Sequence, residues 1–147
     1  MFLSELLSYA TRHEQVNGAL YLFIQDSIEW LDHAKGAIAN FHIVFMIQLS
    51  FHLGFMPNIE SGMSGDYFDL VDGCFAAHVP SHVHYLNNED SMRLVSLFRL
   101  DYKTMHLYTM SRIERNRCVE VILEYYKLHL PDFPEMKSFS VLQELFA

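Results

Sequence analysis

The residues best suited to chemistry lie between positions 74 and 84. Cys74, His78, His82 and His84 are spaced C-x3-H-x3-H-x-H. Thiolate and imidazole are the ligands zinc prefers, and structural zinc sites usually draw them from tight pairs. This spacing matches no standard knuckle. The four residues are therefore weak ligand candidates set against a plain surface-histidine reading, and the expectation is no bound metal and no cofactor.

A second set is basic: Arg99, Lys103, Arg112, Arg115 and Arg117. One reading is a solvated face with ordinary pairs such as Arg117 with Glu120, each worth a few tenths of a kcal/mol. The other is an anion-docking ledge for an acidic peptide. Guanidinium groups suit it because their planar fork grips a carboxylate with two bonds at once. A terminal aromatic residue on such a peptide needs an apolar pocket beside the charges.

Nucleophile and phosphate motifs are missing. Gly62-Met63-Ser64-Gly65-Asp66 does not match G-x-S-x-G. His13-Glu14 is followed by Asn17 where H-E-x-x-H needs a second histidine, and there is no G-x-x-x-x-G-K-[ST] or G-x-G-x-x-G. Cys118 falls on the apolar stripe of a helix and reads as a buried, inert thiol. His42 and His52 read as hydrogen-bonded core or edge residues of an apolar helix. The expectation is a protein that binds rather than catalyses.

The elements that carry these residues are mostly helical. Leu3, Leu6, Leu7 and Ala10 share a stripe over 2–11. A second helix is predicted over about 14–31, with Leu20, Phe23, Ile24, Ser27, Ile28 and Leu31 at helical spacing. A third fits about 36–54 and is apolar nearly all round, which makes it central. Gly54 and Pro57 are placed to end it. Glycines and prolines then punctuate 55–87, where Tyr67-Phe68-Asp69-Leu70 and Cys74-Phe75 suggest short strands or an ordered loop.

Helices return after Asn87 or Asn88. One runs to about Leu100, and Asp101–Met110 is a mixed connector. Ser111-Arg112-Ile113-Glu114 is a capping-box pattern that opens a helix to about Leu130, with Cys118, Val119, Ile122 and Tyr126 on its core stripe. Ser140 with Gln143 repeats the spacing before a last short helix. The fold expected is all-α: about six helices around 36–54, with a short irregular or β insert near 55–87. Most of the eight tyrosines and twelve phenylalanines belong to its core. Tyr102, Tyr108 and Tyr125 lie close to basic residues and are candidates for exposure.

The 147 residues carry a net charge of −8, which argues against a protein that coats nucleic acid. The charge is uneven. Residues 1–90 hold two basic and eleven acidic side chains, whereas 93–127 holds seven basic against four acidic. An anionic partner is expected on the C-terminal half. The two cysteines form no C-x-x-C pair, which favours a reducing compartment. Met1-Phe2-Leu3 runs straight into Ser4 and Glu5 without a leader pattern, and the run at 41–55 is too broken to span a membrane. A cytoplasmic protein with no membrane partner is expected.

Several short motifs occur in a characteristic order. Leu20-Tyr21-Leu22-Phe23 comes first, then Leu53-Gly54-Phe55-Met56-Pro57-Asn58. Tyr67-Phe68-Asp69-Leu70 follows with Gly73 and Phe75, then Tyr125-Tyr126 to Leu128-His129-Leu130, then Lys137-Ser138 before Leu142. This ordered set resembles the C-terminal helical domain of the RecO recombination-mediator family over nearly the whole chain.

The resemblance implies a DNA repair and recombination role without cofactor chemistry. It implies three partners: single-stranded DNA, a RecR-type protein, and the acidic, Phe-terminated tail of single-stranded-DNA-binding protein. Together these support strand annealing and RecA loading. Two departures accompany it. Residues 1–147 read as one helical domain, with no counterpart of the family's N-terminal OB-fold, so DNA contact is expected to be weak or to rest on that fold. Some members carry a four-cysteine zinc site in the part matching 55–87, where this chain has only Cys74. A helical small-molecule or metal sensor, suggested by nine histidines and eight methionines, is the alternative.

Overall fold

The structure, a computed structural model, describes residues 2–12, 18–36, 38–60 and 66–139. Five helices are present among them: α1 (Phe2–Ala10), α2 (Gly18–His33), α3 (Phe41–Leu53), α4 (Asn88–Phe98) and α5 (Arg112–His129). Three short strands, β1 (Tyr67–Asp69), β2 (Cys74–Ala76) and β3 (Tyr85–Leu86), lie between α3 and α4. A single 3-10 turn, Met105–Leu107, sits in the connector before α5.

Helix α3 is the centre, as its sequence demands. Phe41, Ile43, Val44, Phe45, Met46, Ile47 and Leu49 are all buried. A helix apolar on every side is stable only when neighbours cover every side. Phe23 of α2 stacks on Phe45 at 5.3 Å and on His52 at 4.5 Å. On another side α5 contributes Tyr126, fully buried, whose hydroxyl donates to the Met46 carbonyl at 2.5 Å. Phe2, Leu6 and Ala10 of α1 join the same core.

Helix α3 begins at Phe41 rather than near 36. Gly36 has φ +126°, outside the helical region. Asn40 is buried and committed elsewhere: its amide donates to the carbonyls of Met105 at 2.9 Å and Tyr108 at 2.8 Å, and its oxygen accepts from Arg115 Nε at 3.2 Å. At the other end Gly54 adopts φ +88° and closes the helix in the left-handed conformation, with Phe55 N–H bonding to the Ser50 carbonyl at 3.0 Å. The capping box of α5 is formed as its pattern predicts: Ser111 Oγ accepts from Glu114 N–H at 3.1 Å and Glu114 accepts from Ser111 N–H at 3.4 Å. Residues 13–17, where the second helix is expected to start, and 140–146, the last expected helix, lie outside the described residues.

The insert near 55–87 is a small three-stranded sheet, the β alternative of the expected irregular or β insert, so the domain is mostly helical rather than all-α. Its strands are antiparallel in the order β2-β1-β3, with Phe68 facing Phe75 and Leu86. β3 is a strand that the sequence does not signal, being only two residues long. The sheet has its own small core of Phe68, Leu70, Leu86, Leu94, Val121 and Tyr125. The β1–β2 turn is tied by Asp69 Oδ1, which accepts from the N–H groups of Val71 at 2.9 Å and Asp72 at 3.1 Å.

His42 packs edge-on against Phe2 at 5.6 Å and Phe41 at 5.8 Å. Contrary to expectation it is not fully hydrogen-bonded: Nδ1 is buried without a partner among the described residues. Burial lowers its pKa from 6.5 to about 4. Between these values the unfolded chain binds the extra proton, so the neutral ring's contribution is complete above the higher value and lost as pH falls toward the lower one. The melting temperature is therefore expected to fall from about pH 7 to about pH 4.5, and to fall less in His42→Phe. Equal falls in both proteins would refute this role for His42.

Gly73 adopts φ +70°, and a Cβ there would lie 2.9 Å from the Tyr125 hydroxyl. That hydroxyl is held by the Phe55 carbonyl at 2.5 Å and has no slack. Gly73→Ala should destabilise the domain by about 1–3 kcal/mol through combined strain and clash. Gly18→Ala, where a Cβ meets open space, is the control and should leave the melting temperature unchanged or raised.

Candidate partner-docking site

His82 and His84 are tied by hydrogen bonds to β1 and α5. His82 Nε2 lies 3.0 Å from Asp69 Oδ1, and its Nδ1 accepts the His84 N–H at 3.0 Å. His84 Nδ1 pairs with Glu124 Oε1 of α5 at 2.8 Å. Both rings fasten the 77–84 loop to β1 and α5. Burial alone would raise the Asp69 pKa; the N–H groups of Asp72 and Val71 and the His82 ring outweigh it and hold the carboxyl below its ordinary value. Cys74 is half-buried in β2 and His78 is exposed. Among the described residues no three His, Cys, Asp or Glu side chains gather as a metal-ligand set.

The five basic candidates do not form one ledge. Arg117 bonds to Asp90 Oδ2 at 3.2 Å and lies 3.8 Å from Glu120. Arg93 joins this network through Asp90, Glu89 and Glu114. Arg115 turns toward Asn40 and helps hold the connector. Arg112 is exposed on the first turn of α5, and Lys103 is exposed in the loop before the 3-10 turn. Arg99 stands apart. It follows the last turn of α4, whereas Asp90 is in the first, roughly 13 Å away along the helix axis. Arg99 makes no ion pair among the described residues.

Arg99 ends an open groove of about 720 Å³. Met92, Val95 and Phe98 of α4 form one wall; Met92 is exposed, and Val95 and Phe98 are half-buried. Ser91, Leu94 and Leu97 are buried. Ser91 Oγ accepts from Phe68 N–H at 3.0 Å and donates to the Leu86 carbonyl at 3.2 Å, which locks α4 onto the sheet. The other wall is the strap after α3, with Met56, Pro57, Asn58 and Ile59, and Phe75 of β2 completes the lining. The strap is pinned by Asn58 N–H to the Gly73 carbonyl at 2.8 Å and by the Tyr125 hydroxyl on Phe55. Glu60 is the acidic residue on the rim.

The sequence misses this groove because its walls come from three separate segments. Its only early signal is the i, i+3, i+6 spacing of Met92, Val95 and Phe98 in α4. The tyrosines considered for exposure are not free platforms. Tyr125 is buried, and its pKa is pushed up to about 12 by burial. Tyr102 stacks on Trp30 at 5.0 Å and Phe41 at 5.1 Å and donates to Ser27 Oγ at 2.7 Å. Tyr108 is half-buried against the main core. Cys118 is buried beside Met110, and burial raises its thiol pKa to about 11. A thiol so placed is a poor nucleophile. No helix among the described residues is long and apolar enough to cross a membrane.

The chain is thus a mostly helical domain whose small sheet and strap frame an open groove along α4. Comparison with known proteins gives its family. The model for "Recombination protein O C terminal" matches residues 1–138, and the chain belongs to that family. DNA repair protein RecO of Phocaeicola vulgatus is 47% identical over 147 residues, covering 100% of this chain and 61% of the relative. DNA repair protein RecO of Bacteroides fragilis is 48% identical, covering 99% and 61%. The protein of that name from Flavobacterium johnsoniae is 31% identical, covering 100% and 60%. The chain thus spans about three-fifths of the length of these relatives. No solved structure matches it significantly.

His82 engages both ring nitrogens, on Asp69 and the His84 N–H, and His84 engages Nδ1 on Glu124. A strong chelator is therefore expected to leave the melting temperature unchanged. A clear drop that added zinc reverses would show that these residues hold a metal after all.

Proposed function

We propose that this domain is the partner-docking part of a DNA repair and recombination mediator of RecO type, acting by binding rather than by catalysis. The observation that carries the reading is the apolar groove along α4, ended by an arginine without an ion-pair partner among the described residues. A Phe-terminated acidic tail, such as that of single-stranded-DNA-binding protein, matches it in two ways. The aromatic ring takes the apolar floor between Met92, Val95 and Phe98, and a carboxylate takes Arg99. Glu60 on the strap repels carboxylates, so the acidic part of the tail lies toward the Arg99 end.

Contact with a RecR-type protein, and through it support of strand annealing and RecA loading, belongs to the same reading. DNA contact by this domain alone is weak in it, because the net charge of −8 repels phosphate.

The test is fluorescence anisotropy of a labelled tail peptide against a control lacking the terminal Phe. Saturable binding that weakens with salt and is lost without the Phe is expected. Arg99→Glu should weaken it about tenfold or more, the scale of one charge-assisted hydrogen bond. Arg117→Ala, whose guanidinium already serves Asp90, should change it less than about twofold. Absence of binding by either peptide, or an Arg99→Glu protein that binds normally, would refute the groove as the tail site.

A further inference from the structure

The chain has eight methionines, and the structure describes six of them. Met46, Met105, Met110 and Met136 are each at most 8% exposed. Met56 is 40% exposed and Met92 is 48% exposed. These two come from the strap and from α4, and they face each other's elements across the same groove. The only strongly exposed thioethers among the described residues therefore stand together in the cavity that the docking reading uses.

We propose that Met56 and Met92 form a paired oxidation site that makes the apolar part of the groove polar. This rests on the docking reading above for its consequence, but not for its chemistry. A thioether sulfur attacks one oxygen of hydrogen peroxide. The S–O bond forms and the O–O bond breaks. Sulfur loses two electrons, and the departing hydroxide takes the proton of the new S–OH group, which leaves the sulfoxide and one water. The sulfoxide is polar and accepts hydrogen bonds from water, so the groove it lines no longer favours an aromatic anchor. The buried methionines are shielded, since the oxidant must reach the sulfur. Neither groove methionine belongs to a buried core cluster, so the fold survives the change. Sulfoxide reductases, one for each epimer, return both residues to the thioether, which makes the switch reversible.

The experiment treats the protein with graded hydrogen peroxide and follows each methionine by peptide mapping and mass spectrometry. Circular dichroism checks the fold. Sulfoxide should appear at Met56 and Met92 at least about tenfold faster than at the four buried methionines, in step with access to the sulfur. Tail-peptide affinity should fall about tenfold in the oxidised protein and recover after treatment with both reductases. Whatever affinity the Met56→Leu/Met92→Leu protein starts with, peroxide should leave it unchanged. Equal oxidation of buried and groove methionines would overturn the proposal. So would full affinity in protein oxidised at both positions, or equal peroxide sensitivity in the double variant. If untreated protein binds no tail peptide, the docking reading fails by itself. The oxidation site is then judged by the mapping, together with loss of an apolar fluorescent dye from the groove on oxidation.

Discussion

Helix α3 turns almost none of its apolar surface to water before its last turn, where Phe51 is exposed. Seven of its large apolar side chains are buried, spread around its whole circumference. Each fully buried side chain of this kind is worth about 1.5–3 kcal/mol relative to exposure, so the neighbours are recruited to cover it. That is why α1, α2, α5 and the connector before α5 all converge on one helix. The Tyr126 hydroxyl on the Met46 carbonyl and the three bonds of Asn40 then fix how they converge. Buried polar groups of this sort are costly when unpaired, so they select one arrangement among several equally apolar ones.

The groove follows from that arrangement. Tyr125 and Tyr126 are adjacent in α5 and point into different cores. Tyr126 reaches α3, while Tyr125 packs under the sheet and holds the strap through Phe55. Gly73 leaves space for the Tyr125 hydroxyl, and Asn58 binds the Gly73 carbonyl from the strap. The strap is thus held from beneath, and its outer residues, with Met92 of α4, stay open to solvent. The site's apolar side chains are the uncovered margin of the second core, and its charges are Arg99 where α4 ends and Glu60 on the strap.

Charge is distributed with similar economy. Three of the seven basic residues of 93–127 pair with acids: Arg93 and Arg117 both serve Asp90, and Lys127 pairs with Glu135. Part of the local excess of positive charge visible in the sequence is therefore neutralised within the domain. What is left for a partner is a few exposed groups, among which Arg99 has an apolar surface beside it. Recognition of this design relies on shape and apolar contact, with charge adding orientation and salt dependence.

Much of this protein was readable in its residues. Periodicity located α1, α4 and α5 closely, because apolar spacing and local capping are properties of neighbouring residues. Gly54 and the Ser111–Glu114 box marked helix ends for the same reason, and the ordered motifs pointed to the family that the comparisons show. The site was not readable to the same depth. Five basic residues close in sequence were separated by helix geometry and by ion pairs with Asp90 and Glu120, and Asn40 drew Arg115 inward. Two of the three histidines that suggested zinc, His82 and His84, pair with Asp69 and Glu124, and Glu124 lies 40 residues away from His84. The strap, β2 and α4 form a groove only once the two cores pack, and no single segment carries that information. Local chemistry is written in neighbouring residues, whereas a binding surface is the product of long-range contacts that only the folded chain makes.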